Sequence, residues 1–398
     1  MEEQIIEHLN KYNLSIRKSG DARFMDQKVT PDVLCIIADC ILQFTNWNTE
    51  IEFTANDIWE SDFANENIKE IFNKPSVDTD SASNEYDKFF SQPLRMLWYS
   101  HVLNLRKQWT RNYFSINRKD LLEYISFKER NALTFLVIYL EKVLKDSEIF
   151  YIFDDFFKNN TKEEFKELKD KYWEFIKNYT PINWDLEVRR IFTKVLNPLC
   201  YQRKIHWTIR WNFSRDIITY DELMYNRKNW RDLEKNKWET RQEYENRISS
   251  TSTQENAFVR FTVDKAKRLI KERYWDVSEV RGDNWPATQV HHIFPKRDFP
   301  QIESFVENLI LLTPNQHYTK AHPNNDTRYI NKDFQYLCLL SKSDSVEDSV
   351  NVSKDWFYRK EDFVYVLNTW ISPNDEFLIS QSFSDIKKKL AFEYNESE

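Results

Sequence analysis

Glycine occurs only twice in the 398 residues, at Gly20 and Gly282, and that scarcity removes whole classes of activity. A phosphate-cradling GxxxxGK loop and a GxGxxG dinucleotide turn each need several residues without a Cβ at close spacing, so nucleotide hydrolysis and Rossmann-type chemistry are disfavoured. Cysteine is nearly as sparse. Cys35, Cys40, Cys200 and Cys338 form no CxxC pair and no disulfide framework, which fits a reducing compartment and reads as buried apolar filler. Long apolar runs are missing too: the longest, Ala132 to Leu140, falls short of the roughly 18 to 20 residues of a membrane helix. The opening residues, with Glu2, Glu3 and Glu7, lack the basic flank and apolar centre of a secretion signal, so the expected location is cytoplasmic.

What is present is enough apolar residue, 41%, to bury a large core, over a length that suggests two or three domains. The formal charge of −7 argues against a protein that coats nucleic acid everywhere, yet a basic cleft can sit on an acidic body. The expected fold class is mainly α with some β, a helical N-terminal region followed by a smaller α+β domain.

Along the chain, Thr30 and Pro31 open a helix to Phe44 that carries Val33, Ile37, Ile41 and Phe44 on one face. Thr54 with Asp57 caps a short helix, a second follows around Glu66 to Phe72, Ser76 to Asn84 reads as a loop, and a third helix lies near Gln92 to His101. Two extended runs, Leu103 to Trp109 and Tyr113 to Ile116, come next. Helix, helix, helix, hairpin is the order of a winged helix, which over about residues 50–120 would offer Arg95, Arg106, Lys107 and Arg111 to DNA. The alternative is an ordinary helical subdomain with solvated arginines. Leu121 to Tyr179 is helical in pattern, with Thr161 and Glu164 as a capping box, until Pro181. Ile205 to Phe213 alternates aromatic with polar and basic residues as one strand, suited to core or to nucleic acid, and Asp221 to Arg247 reads as a charged helix. The polar SSTSTQEN, residues 249–256, reads as a linker between a recognition region, 1–248, and a domain at 257–398.

Beyond that linker a basic amphipathic helix, with Arg268 and Lys271 among its cations, runs to Trp275. ATQVHHIFPK (287–296) and ENLILLTPNQHYTKAHP (307–323) follow, holding four of the seven histidines. Thr288 to Ile293 and Asn308 to Leu312 read as strands, and Thr313 with Pro314 opens a helix containing His317. Strand, strand, helix lets His291 and His317 share a divalent ion while His292 points the other way.

These residues resemble the HNH, or ββα-metal, nuclease motif over about 35 residues. The resemblance implies His291 and His317 as metal ligands, His292 as general base, Asn308 as the residue that holds the hairpin loop, and His322 as a third ligand. It further implies one divalent ion, Mg²⁺ with Mn²⁺ as a substitute, and DNA contacts from Lys296 and Lys320. Members of this family often place the last two histidines four apart; here the spacing is five, which on a regular helix turns the second away unless Pro323 redirects it. Thr313 and Gln316 stand where other members carry a zinc-binding CxxC pair, so no structural zinc is implied. SGDARFMDQKVTPDV (19–33) is similar to the N-terminal region of some type II restriction endonucleases. The expected function is a sequence-specific double-stranded DNA endonuclease, a restriction enzyme cutting beside its site, acting as a homodimer or transient dimer on DNA. Alternatives are an HNH phage-defence effector or homing endonuclease, and a non-catalytic DNA-binding regulator.

Overall fold

The computed structural model describes all residues except 73, 75–81, 210, 226–240, 323–329, 372–375 and 396–398, with backbone alone for 82–87, 241–255 and 395. The chain is mainly helical, with small two-stranded antiparallel sheets, and divides into two compact units, Met1–Gln254 and Glu255–Glu398. Among the described residues no helix is long and apolar enough to cross a membrane.

The first unit is built on helices α1 (Glu2–Asn10), α2 (Ile16–Ser19), α3 (Pro31–Thr45), α4 (Ala55–Trp59), α5 (Asp62–Phe72) and α6 (Ala82–Tyr99). The hairpin β1 (Leu103–Gln108) and β2 (Arg111–Ile116) comes next. Then follow α7 (Lys119–Phe127), α8 (Glu129–Asp146), α9 (Phe150–Asn159), α10 (Lys162–Tyr179), α11 (Asp185–Arg203) and the hairpin β3 (His206–Ile209) and β4 (Asn212–Ile217). Helix α3 is the axis. It is apolar nearly all round rather than on one stripe, and it lies buried against α7 and α8. Each buried Ile or Leu of this kind contributes roughly 1.5–3 kcal/mol over exposure. Phe44, at its far end, reaches the surface and meets the edge of Phe53.

The capping signals resolve individually. Thr54 and Asp57 form the full reciprocal box. Thr161 accepts from the Glu164 amide, but the Glu164 carboxylate is taken by Asn159 Nδ2 at 3.2 Å. Thr30 occupies the N-cap, yet its hydroxyl donates to Asp32 at 2.6 Å instead of accepting a helix amide.

Four expectations change. Of the loop expected at 76–84, residues 76–81 lie outside the described residues and Ala82 already begins α6. The single strand at Ile205–Phe213 is a hairpin that turns at Trp211, whose φ is +71°, so the alternation breaks there. Its aromatics pack inside the unit: Trp207 is buried, half-buried Phe213 meets Phe156 and Phe165, and half-buried Trp211 meets Phe192. Of the helix expected at Asp221–Arg247, Asp221–Leu223 is a single 3₁₀ turn, 226–240 lie outside the described residues, and 241–247 are helical backbone. The expected linker at 249–256 is helical backbone inside α12 (Arg241–Tyr274), and the division between units falls within it. No Gly or Pro interrupts that stretch, and the small helix penalty of Ser and Thr, under about 1 kcal/mol each, does not stop a helix that good formers flank.

The second unit places β5 (Gln289–His292) against β6 (Leu309–Leu312), followed by a π-helical turn (Gln316–Ala321) and helices α13 (Lys332–Glu347), α14 (Lys360–Trp370) and α15 (Phe383–Asn395). Strand β6 is buried at all four positions, and this fixes the register that carries the histidines.

Candidate metal centre

Pairing of β5 with β6 sets His291 opposite Ile310 and His292 opposite Leu309. Because successive strand side chains leave on opposite faces, the two neighbouring imidazoles are separated by the backbone itself. His291 is buried and His292 half-buried.

The second element is the turn after β6. Thr313 and Gln316 cap each other: the Thr313 amide donates to Gln316 Oε1 at 3.1 Å and the Gln316 amide donates to Thr313 Oγ1 at 3.1 Å. Gln316 also accepts from Ser278 Oγ at 2.6 Å and donates to the Val280 carbonyl at 2.8 Å. Direct hydrogen bonds thus fasten the strand-to-helix turn at the two positions where the resemblance would set cysteines. From this anchor the chain winds as a π-helix, and the His322 amide donates to the His317 carbonyl at 3.2 Å. An i→i+5 turn sets residues five apart on one face, which removes the expected obstacle to His322 as a ligand. Pro323, expected to redirect it, lies outside the described residues.

The three rings converge. Their centroids lie 5.3 Å (His291–His317), 5.0 Å (His291–His322) and 5.1 Å (His317–His322) apart, and one nitrogen from each falls within 4.8 Å of the others. His317 Nδ1 is buried without a hydrogen-bond partner, and in its unprotonated form it carries a lone pair of the sort a bound ion satisfies. Burial holds the His291 pKa well below the ordinary histidine value, helped by the other histidines, and burial followed by His322 lowers that of His317. Neutral imidazole is the ligating form, so the residues present fit a divalent ion. Three ring nitrogens are a borderline-soft donor set. They suit Mn²⁺, Co²⁺, Ni²⁺ or Zn²⁺ better than the expected Mg²⁺, which takes oxygen ligands.

His292 is oriented separately. Its Nε2 lies 3.0 Å from the Glu303 carbonyl oxygen, which can only accept, so Nε2 carries the hydrogen and Nδ1 keeps the lone pair. Burial, with Lys267 and Lys296 nearby, pulls its pKa down to about 4, and the ring is neutral at pH 7.

Asn308 ends a 3₁₀ turn (Val306–Asn308) and is fully buried. Its Oδ1 accepts from the Phe294 amide at 2.8 Å, and its Nδ2 donates to the carbonyls of Phe294 (3.1 Å) and Ile302 (3.2 Å). The side chain closes the loop whose next residue, Glu303, holds His292. Gln335 of α13 donates to the Ile293 carbonyl at 2.7 Å and accepts from Tyr394 of α15 at 2.9 Å, gripping the end of β5.

The expected DNA-contacting residues disperse. Lys296, Lys271 and Lys320 are exposed in the second unit, and Arg268 lies 3.7 Å from Glu272 on its own helix. In the first unit Lys107 and Arg111 line a cleft together with Arg95, which Asp21 holds at 3.1 Å. Arg106 does not line it: Glu52 takes its guanidinium through two bonds of 2.8 and 2.6 Å. Sequence reasoning missed Lys267, Gln335 and Gln316. Lys267 is one cation among six on a helix, and only the folded chain brings it near His292; Gln316 stands three residues after Thr313, at capping-box spacing, whereas Gln335 has no spacing signal. Comparison with protein-family models, curated proteins and solved structures finds no match to this chain.

Proposed function

We propose that this protein is a divalent-metal-dependent DNA endonuclease of the HNH type, and that it cuts at sites it selects by sequence. The observation that carries the reading is the convergence of His291, His317 and His322 within 4.8 Å, with His292, on the opposite strand face, holding a lone pair on Nδ1.

His291, His317 and His322 would hold the ion, which when bound supplies Lewis-acid stabilisation to the negative charge that gathers on the phosphate. His292 Nδ1 takes a proton from water as the water oxygen attacks phosphorus, and the bond to the 3′ oxygen breaks, leaving 5′-phosphate and 3′-hydroxyl ends. The Glu303 carbonyl keeps the tautomer that can do this, and Asn308 keeps Glu303 in place. Lys267 and Lys296, near enough to lower the His292 pKa, are placed to seat the substrate phosphate. One such centre cuts one strand, so double-strand cleavage calls for a second copy or a second event.

Supercoiled plasmid incubated with the chain and Mg²⁺, Mn²⁺ or Zn²⁺ tests the reading. Discrete fragments from the parent, and none from His292→Ala with metal binding retained, support it. A parent inert with all three ions, or a His292→Ala variant that cuts like the parent, overturns it.

A further inference from the structure

The first unit contains a cleft of about 870 Å³ lined by α4, α6, α11, the β1–β2 hairpin and the segment Arg23–Lys28. One wall is the exposed face of α6. Lys88, Ser91, Gln92 and Arg95 recur at three-and-four spacing and all line the cleft, while Phe89, Phe90, Leu94, Met96 and Leu97 turn inward. The hairpin β1–β2 contributes Lys107 and Arg111, α11 contributes Arg190, and the segment Arg23–Lys28 lines the cleft as well.

Charge in this cleft runs against that of the chain. Seven cations and four carboxylates line it, and Arg23 already occupies two of the carboxylates, Asp26 at 2.8 Å and Glu187 at 3.0 Å. Among the described residues, Lys88, Lys107, Arg111 and Arg190 are exposed and hold no carboxylate. Seven cations against four carboxylates leave a net charge of +3 in this cleft, and on an acidic protein that is where a polyanion gains most. Gln92 adds orientation. The Lys28 backbone N–H donates to Gln92 Oε1 at 2.8 Å, so the amide cannot flip and its two N–H donors are offered in one direction from a rigid helix. A fixed amide on a helix face, with loose cations around it, is the arrangement that reads base edges in a major groove and grips the flanking phosphates.

We infer that this cleft seats duplex DNA, with Gln92 reading a base edge and Lys88, Lys107, Arg111 and Arg190 holding phosphates. The inference rests on the nuclease reading only for its choice of DNA as the polyanion. It assigns recognition to Gln92 and moves it away from Arg106, whose charge Glu52 consumes.

Binding of the full chain to a fluorescent DNA duplex with a randomised centre, in chelator and without metal, tests this independently of cleavage. The Lys107→Ala/Arg111→Ala variant should bind at least about tenfold more weakly, with a log–log salt slope smaller by about two. Gln92→Glu keeps an oxygen for the Lys28 amide and turns the two donors into acceptors. Its added negative charge should also weaken binding to the random pool, and repeated selection from the pool should enrich different bases. If folded variants keep the parent's affinity, salt slope and selected sequence, or the parent binds single strands better than duplex, the inference falls. A parent that binds through the cleft but never cuts with Mg²⁺, Mn²⁺ or Zn²⁺ sinks the nuclease reading and leaves the cleft standing.

Discussion

His322 donates its backbone N–H to the carbonyl of His317, five residues earlier, at 3.2 Å. On an α-helix, at about 100° per residue, a five-residue step would leave the two rings about 140° apart. The π-turn removes that offset and turns His322 into a partner of His291 and His317.

If His322 is a full ligand, His322→Ala should weaken Zn²⁺ and Mn²⁺ binding by at least about tenfold, comparable to His317→Ala. Titration calorimetry, or the rise in melting temperature with added metal, reads the difference. A variant as metal-responsive as the parent would reduce the site to two histidines and solvent.

Asn308→Ala removes a side chain that satisfies three buried backbone groups at once. Leaving the Phe294 amide and the carbonyls of Phe294 and Ile302 without partners should cost about 2–4 kcal/mol. Asn308→Asp keeps the acceptor but aims a carboxylate at two carbonyls, and should be no better. Chemical denaturation of both variants measures this, and a loss under about 0.5 kcal/mol would show that the loop closes without the clasp.

Lys342 and Glu279 form an ion pair at 2.6 Å with both side chains fully buried, and Glu279 also accepts from the Leu311 amide of β6 at 3.0 Å. Tyr358 takes a third position, accepting from Lys342 at 2.7 Å. Lys342→Met strands the Glu279 charge and should destabilise the second unit by about 3–5 kcal/mol, whereas adding Glu279→Leu should restore most of the loss. Thermal unfolding of the single and double variants tests the pair, and a harmless single substitution would contradict it.

His8 gives the fold a pH dependence. Its Nε2–H donates to the Ser100 carbonyl at 3.0 Å and its Nδ1 accepts from Arg118 at 2.9 Å, a pattern only the neutral ring can make. Burial, with Arg118, His101 and Lys11 nearby, lowers its pKa below 6.5. The unfolded chain therefore binds the proton first. The stability this neutral ring contributes is complete above pH about 6.5 and drains away as pH falls through the lowered folded value. His8→Gln should flatten the decline in melting temperature between pH about 7.5 and 5.5 relative to the parent. Parallel curves would assign the decline elsewhere, His101 included.

The sequence was most legible where one residue decides one local outcome. Pro31 started α3, Thr54 and Asp57 made their box, and alternation in QVHH set His291 and His292 on opposite faces. It was least legible where distant residues compete. Nothing in the spacing of His317 and His322 announces a π-turn, because the choice between i+4 and i+5 bonding depends on the Thr313–Gln316 anchor and the surrounding packing. Ser249 to Asn256 is polar enough for a loop, yet flanking helix formers carry α12 through it. Arg106 reads in the sequence as available for DNA, and Glu52, 54 residues away, holds its guanidinium in the fold.

The hydrogen bond that fixes His292 ends on the main chain of Glu303 and touches nothing of its side chain. Any residue placed at 303 still presents that oxygen, so the proton-accepting nitrogen is insulated from substitution at the position that orients it. A saturation library would score 303 as tolerant, and only disturbing the loop's course, through Asn308 or the backbone itself, would expose what the position does.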